Sequence, residues 1–169
     1  SGELGFQASN PYRNRLARYW LPNIHEWYKG AYGSPTGTWY NYPTATDTVP
    51  TWVSGGTTAG TAVGNNQTGP ADINNAGGLS AYGTMGQGGN VWECMEDPAS
   101  GSGYTETANR MRRGGAFTGT AGLSCTETFG DSPSVANQRN YGFRIAGMPE
   151  TDTDGDGLLD MAESNLGTD

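Results

Sequence analysis

Asp152, Asp154 and Asp156 stand at alternate positions near the carboxyl end, Gly157 follows, and Asp160 and Glu163 complete the pattern D-x-D-x-D-G-x-x-D-x-x-E. A calcium ion takes about six to eight oxygen ligands, and a tight turn gathers carboxylates at this spacing around one point. Leu158 would add its backbone carbonyl, and Gly157 permits the sharp bend. The calcium ligands expected here are therefore Asp152, Asp154, Asp156, Leu158, Asp160 and Glu163. An acidic, disordered tail is the plainer alternative. Carboxylates and glycine in register argue against it. Without the ion these like charges lie within a Debye length, so binding should order the segment, with an affinity of roughly micromolar to millimolar.

The elements that precede this loop are few. Ile24, Trp27, Tyr28 and Ala31 recur at helical spacing, which predicts an amphipathic helix within 21–32. Pro22 suits its first turn, Asn23 and Glu26 its polar start, and Gly33 its stop. From 36 to 85 the chain carries Pro, Gly, Asn and Thr without a lasting period, which predicts long loops pinned by Trp39, Tyr40, Tyr42 and Trp52. Short strands are expected at 90–95, 111–117 and 141–145. A switch to acidic residues after Pro149 sets a boundary near Gly147, giving a main domain at 1–147 and a calcium-binding segment at 148–169. One helix, short strands and long loops make an α+β class of low regularity.

Composition removes several functions. Seventeen acids against nine bases give a net charge of -8, and the bases form no stripe that would neutralise a phosphate backbone, so nucleic acid is not an expected partner. No run approaches the roughly 18 consecutive apolar residues of a membrane span. Charged residues make up only 15%, and a surface of neutral polar groups and tyrosines is common in secreted bacterial proteins. Cys94 and Cys125 could form one bridge in an oxidising compartment or remain two buried thiols in a reducing one. The sequon Asn66-Gln67-Thr68 carries little weight, and the lone His25 is read as structural or exposed.

Two resemblances add to this. The run DTDGDGLLDMAESNLGTD, from 152 to 169, is similar to bacterial thrombospondin type 3 repeats, which implies Asp169 as a further ligand. The ordered blocks YWLPNIHEWYKGAYG, GGNVWEC, RRGGAF and NYGFRIA resemble the formylglycine-generating enzyme or sulfatase-modifying factor family. That resemblance implies an irregular C-type-lectin-like fold over most of 12–146. It also implies oxidase chemistry in the true enzymes, where a cysteine pair after the R-G-G motif works with copper. Here only Cys125 remains near that place, with Gly119 at or near the position of the first cysteine. A lone thiol cannot make the paired soft-ligand site that copper(I) favours, so the chain is not expected to be an enzyme. The G-N-x-W-E block implies a second calcium at Asn90 and Glu93, although both could equally cap a turn. Trp27, Trp92, Phe117 and Phe143 are expected in the core, and Arg113 and Arg144 as braces.

Family domains carry a substantial segment before the Tyr19 block, and this sequence supplies little there. A sheet lacking a strand offers unpaired backbone groups to another chain. The expected partner is a neighbouring copy, giving an oligomer or filament, or a separated N-terminal fragment. Leu4, Phe6 and Ala8 alternate in a segment that could be the donated strand. The functional expectation is a noncatalytic, extracellular or cell-surface, calcium-binding structural protein, self-assembling as a fibril or surface layer. Its rival is an extracellular carbohydrate- or ligand-binding module in which Trp39, Tyr40, Tyr42 and Trp52 stack on a glycan.

Overall fold

The computed structural model describes residues 2–99, 101, 103–105, 107–131, 139–148, 151–154, 160, 163–164 and 167. The chain divides into two units, one of Ser1–Leu21 with Ile145–Asp169 and one of Pro22–Arg144. In the second unit the predicted helix is α1, Ile24–Tyr32. Its amino end is satisfied by side chains. Asn23 Oδ1 accepts from the amides of His25 and Glu26, and Glu26 returns a carboxylate oxygen to the Asn23 amide. This reciprocal cap is worth about 1 kcal/mol. Asp97 accepts from the Ile24 amide, so the first-turn donors are all engaged. Pro22 precedes the cap rather than opening the first turn. Gly33 caps α1 with extended backbone, its amide donating to the Lys29 carbonyl, and a Cβ there would lie 2.8 Å from that oxygen.

The buried face of α1 meets a four-stranded sheet ordered β6-β5-β4-β7, with β4 at Trp92–Pro98, β5 at Arg110–Arg113, β6 at Phe129–Asp131 and β7 at Tyr141–Gly142. β5 runs antiparallel to β4 and β6, and β7 runs parallel to β4. The period of two along β4 separates its neighbours. Met95 joins Trp27, Ala31 and Tyr32 in the core cluster, while Trp92 packs against Phe129 at 4.9 Å between centroids. Glu93 pairs with Arg113 and Cys94 with Arg112, so the two consecutive arginines serve opposite faces. Trp27, Trp92 and Phe117 are buried as expected.

Several expectations need correction. β5 stops at Arg113, short of the predicted 117, because Gly114 and Gly115 turn left-handed at φ 94° and 76°. A Cβ at Gly115 would come within 2.5 Å of the Ala121 carbonyl. Phe143 is 66% exposed instead of core. Its neighbour Arg144 turns inward to Glu93, and alternation sends Phe143 the other way. The loop region holds an unforeseen parallel pair, β2 at Thr51–Val53 and β3 at Thr61–Val63. Trp52 does pin that region, since its ring rests on the backbone of Gly64, where a Cβ would be 2.2 Å away.

In the first unit, two-residue strands β1, Tyr19–Trp20, and β8, Ala146–Gly147, pair antiparallel. Arg13 lies over the Trp20 ring at 4.8 Å. The segment that could donate a strand turns instead of extending: the Phe6 amide bonds back to Glu3 and the Asn10 amide to Gln7. Among the described residues no helix is long and apolar enough to cross a membrane.

Candidate functional site

In the C-terminal loop, Asp152 and Asp154 are exposed. Asp156, Leu158 and Asp169 lie outside the described residues. Asp160 turns its carboxylate back across the loop, where one oxygen accepts from the Thr153 amide at 2.7 Å and the other from the Thr153 hydroxyl at 2.8 Å. The Asp160 amide donates to the Thr151 carbonyl at 3.0 Å. These bonds, the Thr153 amide foremost, hold the Asp160 carboxyl below its ordinary range. Asp160 and Glu163 have helical backbone, and Glu163 is buried. Among the described residues no group of three or more acidic, histidine or cysteine side chains converges as a metal site. The donor chemistry suits calcium, a hard cation that prefers carboxylate oxygen.

Asn90 and Glu93, the residues named for a second ion, are held by protein groups. Asn90, at φ 64°, accepts from the Ala71 amide at 2.8 Å and donates to the Ala71 carbonyl at 3.2 Å. Glu93 is 4% exposed and receives Arg144 in a two-point grip, each N–H···O distance 2.6 Å, with the Trp27 indole N–H on the same carboxylate. Its charge is balanced by the guanidinium, which costs less than burying it alone. Arg144 also donates to the Met85 carbonyl. These side chains fasten α1, β4 and the start of the 143–144 segment together.

The R-G-G block holds the arginine braces. The Arg112 guanidinium lies 4.7 Å from the Trp92 ring and 5.0 Å from Tyr141. Arg113 lies within 5.2–5.9 Å of the Tyr28, Trp27 and Tyr32 rings and donates to the Thr128 hydroxyl at 2.7 Å. Cation–π contacts of this kind stabilise more when desolvated. Tyr28 and Tyr32 sit one helical turn apart with centroids at 4.8 Å. Burial raises the Tyr32 phenol despite the opposing pull of Arg113. Burial, then a hydrogen bond with Cys125, raises Tyr28.

Cys125 is half-buried, its amide donating to the Asn41 carbonyl at 3.0 Å. Glu127 closes the turn around it by accepting from the Gly122 and Ser124 amides. No disulfide joins Cys125 to Cys94, so the bridge left open by the sequence is not formed. At Gly119 a Cβ would meet nothing within 4 Å, so no crowding explains the glycine there. Sequence reasoning missed Asp97, which accepts from the first turn of α1 far along the chain, and Glu127, which closes a local turn. It also missed the Tyr28–Tyr32–Arg113 cluster, although the i, i+4 tyrosines on the predicted helix were a usable signal.

Three comparisons bear on this arrangement. No curated protein matches the chain. A solved structure, Treponema denticola variable protein 1, is similar at a TM-score of 0.53 and 23% identity, over 78% of this chain and 48% of that one. The chain thus spans about half of that structure's length, and the likeness speaks to fold. The model of the sulfatase-modifying factor enzyme 1-like domain matches residues 5–148. That match takes in all the blocks that carried the resemblance, together with the small α+β arrangement of one helix and several short sheets among the described residues, and the chain belongs to the sulfatase-modifying factor enzyme 1-like family.

Proposed function

We propose that the chain is a noncatalytic, extracellular structural protein that binds calcium through the loop of Asp152, Asp154, Asp156, Leu158, Asp160 and Glu163, with Asp169 as an added ligand. The observation that supports this reading is the return of Asp160 onto Thr153, which brings two positions seven residues apart in the acidic segment together. Asp152 and Asp154 offer exposed carboxylates beside that fold. The noncatalytic part is supported by the R-G-G region, where Cys125 stands without a bridged partner and Gly119 lacks a thiol. Apolar Leu4 and Phe6 in solvent, 74% and 39% exposed, support assembly through that surface into a filament or layer.

Titration calorimetry with calcium on the full chain tests the reading. The expected Kd lies between about micromolar and millimolar, and Asp154→Asn should weaken it at least tenfold. Heat of dilution alone would remove the calcium assignment. Copper with a cysteine peptide should give no oxidised product, and light scattering with and without chelator reads assembly. A second reading, a ligand-binding module, is favoured by Trp39, which is 57% exposed.

A further inference from the structure

The aromatic side chains expected to stack on a glycan do not share one environment. Trp52 is laid on the Gly64 backbone, and Tyr40 and Tyr42 are half-buried. Trp39 alone of these is exposed, and the hydroxyl of a second exposed ring, from a distant stretch of chain, reaches the residue after the one that Trp39 bridges. Trp39 bridges Gly33 in a short antiparallel contact, and a Cβ at Gly33 would lie 3.4 Å from its ring. Tyr82, 41% exposed, donates its hydroxyl to the carbonyl of the next residue, Ser34, at 3.1 Å. Both rings therefore border the dipeptide Gly33–Ser34.

The rings are also held in place. Trp39 packs on Tyr28 at 5.7 Å, and Tyr28 in turn packs on buried Tyr32. Rings fixed before binding lose little conformational entropy on contact. Beside them runs a row of hydroxyls, Ser34 to Thr36 at 3.0 Å and Thr36 to Thr38 at 3.4 Å. Thr36 and Thr38 face solvent. No charged residue occurs between Lys29 and Asp47 or between Asp72 and Glu93, the stretches that build this surface. An ionic ligand would find no counter-charge on these segments. A molecule with apolar C–H faces edged by neutral hydroxyls matches both halves of the surface.

We propose that Trp39 and Tyr82, flanked by the exposed hydroxyls of Thr36 and Thr38, form a stacking platform for neutral carbohydrate, an inference that rests on the ligand-binding reading. The test uses the full chain in chelator, so that calcium plays no part. Probes are soluble neutral polysaccharides, namely a β-glucan, a xylan, a mannan and a galactan, read by affinity electrophoresis and calorimetry. At least one should bind. Trp39→Ala should weaken it about tenfold and Tyr82→Ala several-fold, as expected for losing one stacked aromatic contact. Trp39→Phe, which keeps a ring, should stay within about threefold, with circular dichroism checking that every variant is folded. Binding that survives both alanine variants places the saccharide elsewhere, overturning the platform while sparing the ligand-binding reading. A panel with no binder overturns both. Self-association of the wild type that Trp39→Ala abolishes assigns this face to a second copy and also overturns the platform.

Discussion

Glu93 and Asp160 are both carboxylates whose two oxygens are engaged, yet one is 4% exposed and holds side chains far along the chain, Arg144 and the Trp27 indole, and the other is bound at the surface by Thr153, seven residues away. The buried carboxylate has a guanidinium and an indole on its oxygens, so its charge is spent on holding α1 to β4. The surface carboxylate is held by the amide and hydroxyl of Thr153, which Asp152 and Asp154 flank in sequence. The same functional group serves the core where it is desolvated and paired with a cationic side chain, and serves a local surface turn where its partners are neutral donors.

Variants that open the buried region should have the largest effects. Trp27→Ala removes a side chain that is 1% exposed along with its bond to Glu93, and should cost about 3–5 kcal/mol in urea denaturation. Glu93→Gln leaves Arg144 facing a neutral partner and should cost about 2 kcal/mol. Arg144 is itself 22% exposed, so water offsets part of the loss. If Glu93→Gln proved neutral, the contrast between the two carboxylates would fail. Asn23→Ala takes away the cap of α1 and should cost about 1 kcal/mol, visible as a small shift in thermal midpoint.

The surface carboxylate should give the smallest effect, and a local one. The Asp160 carboxyl is held below its ordinary value of 3.8, so its contribution is fully present above that pH and is lost as pH falls through the lowered value. The protection factor of the Thr153 amide proton, followed by NMR and referenced to the intrinsic exchange rate at each pH, should fall in that acid window. Unchanged protection there would show that the Asp160 bond does not order the loop.

Legibility followed distance along the chain. Asn23 and Glu26 stand three residues apart and could be read as a cap because both partners lie in one helical turn. The aromatic residues Trp27, Trp92 and Phe117 were recognisable as core from their size and setting. Phe143 was misjudged for the same reason: its size suggested burial, but Arg144 beside it had to reach Glu93. That ion pair spans 51 residues, and no local pattern announces it. The β2–β3 pair was missed because each strand has three residues and the two are parallel, so neither periodicity nor a hairpin turn marks them.

What the sequence determined by itself was the spacing of oxygen donors from Asp152 to Glu163, the capped helix and the order of the family blocks, since each depends on residues close together in the chain. Only the tertiary structure decided that Arg112 and Arg113 serve opposite faces, that Trp52 is packed while Trp39 is exposed, and that Tyr82 comes to lie beside Gly33–Ser34. Those outcomes depend on which backbone segments approach one another, and such approaches are set by burial over the whole unit.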